Sequence, residues 1–136
     1  MSEQNKQLVR DLWGALATGD FNRMASFYHE NVVYHGSGGD ERRGRNAAVD
    51  LARMYKNAFP DMKAEVEQLV AEGDFVVSRV RPHGTHKGDL MGMAPTGKKI
   101  DIRWVMNMAR IENGKVVEEW EVFDQMDFMK QLGKAG

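Results

Sequence analysis

Ile100-Asp101-Ile102-Arg103-Trp104-Val105-Met106-Asn107-Met108-Ala109-Arg110-Ile111-Glu112, then Asn113-Gly114, then Lys115-Val116-Val117-Glu118-Glu119-Trp120-Glu121-Val122-Phe123-Asp124: the fold turns on how this stretch pairs with itself. Two alternating runs flank an Asn-Gly pair. A type I′ turn needs positive φ at both central residues, and Asn-Gly tolerates it, so the pair predicts a tight antiparallel hairpin. With Glu112 opposite Lys115, the pairing counts back residue by residue. It sets Trp120 against Asn107, Val122 against Val105, and Asp124 against Arg103. Facing residues share one side of a sheet, so Arg103, Asn107, Trp120 and Asp124 are expected on a common surface. A β-bulge would shift that count.

The two faces of the Ile100 run differ. One carries Ile100, Ile102, Trp104, Met106 and Met108; the other carries Asp101, Arg103, Val105, Asn107 and Ala109. If helices cover the mixed face and enclose a pocket, the apolar face is left for another subunit, a homodimer through Trp104, Met106 and Met108. If the apolar face is the core, Arg103 is solvated. Both assignments are open from sequence physics.

Outward from the hairpin, helices come first and strands after, an α+β order. Leu8, Val9, Leu12, Trp13 and Leu16 recur at helical spacing, ending near Gly19-Asp20. A second helix is expected over Phe21 to Tyr28, a strand over Asn31 to His35, and a loop at Gly36-Ser37-Gly38-Gly39-Asp40. Arg42-Arg43-Gly44-Arg45 reads as a solvated entry to a third helix. That helix reaches Ala58 and stops at Phe59-Pro60-Asp61, because proline disfavours helix before itself. Strands follow over Lys63–Ala71, Phe75–Thr85, Ile100–Glu112 and Lys115–Asp124, with a last helical piece over Gln125–Leu132. One domain over residues 1–136 is expected.

Composition narrows function. The net charge of −1 gives no electrostatic case for nucleic acid or an anionic membrane. With no cysteine there are no disulfides, zinc thiolates or thiol nucleophiles, and a reducing, cytoplasmic setting is the expectation. His83 and His86 stand three apart on a strand and point to opposite faces, and no His-Glu-x-x-His spacing occurs, so no metal is expected. The Gly36–Gly39 stretch lacks the lysine-serine end of a phosphate loop. Ten methionines suit irregular gaps or an adaptable pocket.

Certain segments together carry a resemblance: the opening helix with Trp13 and Gly19-Asp20, Val33-Tyr34-His35, Phe59-Pro60-Asp61, and Glu72-Gly73-Asp74. They continue with Gly84-Thr85-His86-Lys87-Gly88, Pro95-Thr96-Gly97-Lys98, Arg110 to Lys115, and Glu118-Glu119-Trp120 with Asp124. In order and spacing they resemble the SnoaL-like polyketide cyclases of the nuclear transport factor two-like superfamily, over about Asn5 to Gly133. The resemblance implies a cone-shaped α+β barrel, a strongly curved mixed or antiparallel sheet wrapped around three N-terminal helices. It also implies a dimer and an intramolecular aldol ring closure on an aromatic polyketide ester without metal or organic cofactor. It matches Asp124 to the family's acid/base carboxylate, and His86 and His35 to pocket histidines. Arg103 stands where family members more often carry an apolar or aromatic residue.

On that reading Asp124 and His86 are the catalytic candidates. A single carboxylate can both take and return a proton if burial and neighbours tune it. His35, Arg103, Asn107, Trp13, Phe59, Met91 and Trp120 are the candidate substrate contacts, the apolar ones as pocket walls beside Met93, Arg103 and Asn107 as groups for a developing enolate oxygen. The partner expected is a small hydrophobic molecule. Two alternatives stand beside the cyclase. One is an epoxide hydrolase or hydratase of the limonene-epoxide type, for which Asp101, Arg103 and Asp124 on one face would serve. The other is a non-catalytic dimeric binding module.

Overall fold

The Asn113-Gly114 turn forms as its residues dictate: in the computed structural model, which describes residues 2–134, both adopt positive φ, 52° and 74°. In chain order the elements are α1 (Ser2–Thr18), α2 (Phe21–Ser26), β1 (Tyr28–His35), β2 (Glu41–Arg43), α3 (Arg45–Ala58), β3 (Lys63–Glu72), β4 (Phe75–Thr85), β5 (Lys99–Asp101), β6 (Val105–Glu112), β7 (Lys115–Phe123) and α4 (Gln125–Gln131). The sheet runs β2-β1-β7-β6-β4-β3, with β5 also on β4. β1 and β7 are parallel and the other pairs antiparallel. It curls without closing, around α1 against β3 and β4 and α3 against β1 and β2. The expected α+β cone with a curved mixed sheet is what the structure shows.

The hairpin departs from the simple count after two pairs. Glu112 faces Lys115 and Ile111 faces Val116, as expected, but Arg110 then faces Glu118 and Val117 is left over. This β-bulge moves every later pair by one. Asn107 faces Glu121, Met108 faces Trp120, and Val105 faces Phe123. Side chains alternate strictly along a strand, so a one-residue slip sends each to the opposite face. Glu119, Glu121 and Phe123 therefore look inward with Val105, Asn107 and Ala109, and Trp120 and Val122 look out. The expected pairings of Trp120 with Asn107 and of Asp124 with Arg103 are corrected accordingly.

Three further differences have local causes. The Ile100 run is two strands, not one. The break at Ile102–Trp104 lies where β4 carries Pro82, which has no N–H to give to a ladder, and Ile102 N–H instead donates to the Pro82 carbonyl. Because the chain turns there, Ile100 and Ile102 are buried on one side of the break and Val105 and Asn107 on the other, although their parities differ. Tyr28 opens β1, not the end of α2, with its ring buried. Arg42 and Arg43, expected within a solvated helix entry over Arg42 to Arg45, instead join Glu41 in a short edge strand on β1.

Local rules account for the helices. Gly19 at φ 75° lets the chain leave α1, and Asp20 then caps α2, its carboxylate accepting from Arg23 N–H at 3.2 Å. α3 turns Ala48, Val49 and Ala52 inward; short side chains let it lie close to the sheet and leave space beneath it.

Candidate active site

Between α1, α3 and the concave face of the sheet lies a cavity of about 120 Å³, or about 880 Å³ with the free space at its open mouth included. Its walls are mostly apolar: Leu12, Trp13 and Leu16 from α1, Leu51 and Tyr55 from α3, and Phe59. Trp13 is fixed in place by its indole N–H, which donates to the buried Ser78 hydroxyl at 3.2 Å.

One end is polar. Glu119 and Glu121 project from β7 with Asn107 between them on β6. Asn107 Nδ2 donates to Glu119 Oε2 and to Glu121 Oε1, each at 3.3 Å. The Tyr28 hydroxyl donates to Glu119 Oε1 at 2.9 Å and the Tyr34 hydroxyl to Glu121 Oε2 at 2.7 Å. Every carboxylate oxygen of the pair thus has one donor. Among the described residues, no Lys, Arg or His lines the cavity. Burial pushes Glu119 up to about 7, the neighbouring Glu121 charge adding to it while the Tyr28 and Asn107 hydrogen bonds oppose it. Glu121 is also raised, by burial first and slightly by Asp40, against the hydrogen bonds from Tyr34 and Asn107. Tyr28 and Tyr34 are raised well above the ordinary tyrosine range, by burial first and then by the carboxylates they bond.

Of the residues singled out from sequence, Trp13, Phe59 and Asn107 come together in this cavity. The rest lie elsewhere. Asp124 is exposed and caps α4, its carboxylate accepting from Asp127 N–H at 2.9 Å. Arg103 is exposed, its guanidinium 6.0 Å from the Trp104 ring centroid. Met91 is 71% exposed at the tip of a turn, with φ 47°. Trp120 lies on the outer face, stacked on His35 with ring centroids 5.4 Å apart, and His35 Nε2 meets Glu118 Oε2 at 2.7 Å.

His86 is fully buried beside Phe59 but lines no part of the cavity. Its Nδ1 accepts from Thr96 N–H at 3.2 Å and lies 3.0 Å from the Thr96 hydroxyl. That hydroxyl accepts from Lys98 N–H, so its own proton is free to point at Nδ1. His86 N–H donates to Lys98 O, and Gly97 N–H to His86 O, so the ring and backbone close the base of the 87–97 loop.

Glu119 and Glu121 were missed from sequence because the simple register put them outside. The signal that could have found them lies in Tyr28, Tyr34 and Asn107, three side-chain donors that need acceptors once they are buried.

The profile of the SnoaL-like polyketide cyclase family matches residues 5–132. The chain belongs to this family. Membership makes it an enzyme of the polyketide cyclase type. It is 29% identical over 131 residues to the aklanonic acid methyl ester cyclase DnrD of Streptomyces peucetius, covering 93% of this chain and 89% of that one. Its fold is shared with the crystal structure of IdmH, a putative polyketide cyclase from Streptomyces antibioticus, at TM-score 0.82 and 29% identity, over 94% of this chain and 97% of that one. It is also shared with AclR, a putative hydroxylase from Streptomyces galilaeus, at TM-score 0.87 and 28% identity, over 98% of each chain. Among the described residues no helix is long and apolar enough to cross a membrane.

Proposed function

We propose that the protein closes a ring in a small hydrophobic, polyketide-like molecule by intramolecular aldol addition, with Glu121 and Glu119 as the acid/base pair in place of Asp124. The observation that carries this is the pair itself: two buried carboxyls at the end of an aromatic-walled cavity, with environments that differ. Environments that push two titratable groups apart assign acid and base roles. Glu121, the less buried of the two, takes a proton from the carbon between two carbonyl groups. The enolate carbon attacks a second carbonyl of the same molecule. One C–C bond forms, the carbonyl π pair moves to oxygen, and that oxygen takes a proton from Glu119, which is poised near neutrality. Tyr34 and Asn107 hold the Glu121 carboxylate in place. The step consumes and releases nothing else, so the carboxyl pair suffices without an added cofactor.

The test is incubation with aromatic polyketide methyl esters that carry a β-dicarbonyl side chain. The expected product has the mass of the substrate and a shifted retention time. If no ring-closed isomer appears across such a panel, the aldol reading is wrong.

The set expected for epoxide opening is not assembled. Arg81 takes both oxygens of Asp101, at 2.7 and 2.6 Å, while Arg103 lies over Trp104 and Asp124 caps α4.

We also propose a homodimer through the outer face of the sheet. Val70, Val77, Met108 and Trp120 pair in one row across β3, β4, β6 and β7, with Phe75, Trp104, Met106 and Val122 beside them. Trp104 and Val122 are 51% and 54% exposed, an apolar surface that a second copy would cover. Trp104→Glu with Met106→Lys is expected to convert a dimer to a monomer in sedimentation analysis. A monomeric wild type would refute this assembly.

A further inference from the structure

With both carboxyls ionised, the polar end of the cavity has acceptors to spare and, among the described residues, no free donor. Asn107 spends both amide hydrogens on Glu119 and Glu121, and the Tyr28 and Tyr34 hydroxyl hydrogens go to the same two carboxyls. Each carboxylate oxygen accepts one bond and retains a lone pair, and each tyrosine oxygen can still accept. A ligand group that meets the ionised pair must therefore donate. The charges point the same way. Asp40 adds its negative field to Glu121 and Tyr55. Arg42, the cation that acts on Tyr55, has its Nη1 within 3.4 Å of the Ala47 carbonyl and is not part of the cavity wall.

The rest of the cavity, contributed by other elements, fixes shape and surface. Its volume of about 120 Å³ is close to the roughly 150 Å³ apolar cavity that accepts one benzene ring. Trp13, Tyr55 and Phe59 give it aromatic walls, and ring faces attract a cation held away from water.

We infer that the polar end of the cavity is a one-ring subsite that selects by charge: it takes an aryl-alkylammonium ion in preference to the neutral isostere and rejects the matching carboxylate. An ammonium group has three donors and no acceptor, so it satisfies the vacant lone pairs. A hydroxyl offers one donor. A carboxylate offers none and sets a third negative charge beside two. This concerns binding and does not depend on the aldol reaction.

Benzylamine, benzyl alcohol and benzoate, titrated by calorimetry in mildly alkaline buffer, test it, because the amine is then still protonated and the pH lies above the raised value of Glu119, about 7. Benzylamine is expected to bind at least about tenfold more tightly than benzyl alcohol, with benzoate showing no measurable binding. Glu119→Gln with Glu121→Gln should erase the preference for the amine and keep the affinity for the alcohol; the wild-type series stands alone if that variant does not fold. Equal binding of amine and alcohol, benzoate binding as well as the alcohol, or no binding by any of the three overturns the inference.

Discussion

Glu121→Gln lowers kcat by about 10²–10⁴-fold, the usual contribution of a positioned acid/base group. Gln keeps the shape of the side chain and its carbonyl can still accept from Tyr34 or Asn107, so the loss is one of proton transfer and not of fold. Binding of substrate changes little, which places the effect in kcat rather than KM. Asp124→Ala is the contrast. It removes the N-cap of α4 and costs about 1 kcal/mol of stability, visible as a lower unfolding midpoint, while turnover per folded molecule is kept. If the two variants exchange phenotypes, Asp124 is the working carboxylate and the pair on β7 is structural.

Glu119→Gln alters stability in a pH-dependent way. The side chain titrates at 4.5 ordinarily and at about 7 in the fold, where burial disfavours its ionised form. The unfolded chain therefore gives up this proton at lower pH than the folded one. The contribution of Glu119 to stability is complete below pH 4.5, falls as pH rises through about 7, and is flat above that. At about 1.4 kcal/mol per unit, the loss by pH 8 is about 3 kcal/mol. The amide variant has no proton to lose. It gives up one hydrogen bond with Tyr28 or Asn107 at all pH values, about 1 kcal/mol. Urea unfolding at pH 5 and pH 8 separates the two effects: the variant is slightly less stable than wild type at pH 5 and more stable at pH 8. Parallel pH curves for the two proteins would show that Glu119 titrates normally in the fold.

Much of the architecture was legible in the residues. Asn113-Gly114 gave the turn and its backbone signs, Phe59-Pro60 the end of α3, and Gly19-Asp20 the join between the first two helices. The expectation of an apolar wall named Trp13 and Phe59, which line the cavity, together with Met91 and Trp120, which do not; Asn107 lines it although the pairing that placed it there is off by one. What failed was register. Val117, the odd residue of the bulge, sits beside an identical Val116, and no glycine or proline marks it. Acids at 118, 119 and 121 offer no alternation from which to choose a face. Pro82 did announce the break in the Ile100 run, but from a different strand, and that signal acts only once the two strands are known to be neighbours.

The unpaired valine makes the chemistry of this fold a matter of reading frame. Seating Val117 opposite Arg110, so that the bulge is ironed out, would leave the helices, the turn and most of the sheet's outline as they are. That pairing would deliver Glu118, Trp120 and Val122 to the chamber and send Glu119 and Glu121 to the outside, whereas deleting Val117 outright would keep both acids inside. Relatives that keep this length of hairpin but lack the bulge would then present different reactive groups from nearly identical sequence. Equivalent positions among them are set by counting across hydrogen-bonded neighbours, not along the chain.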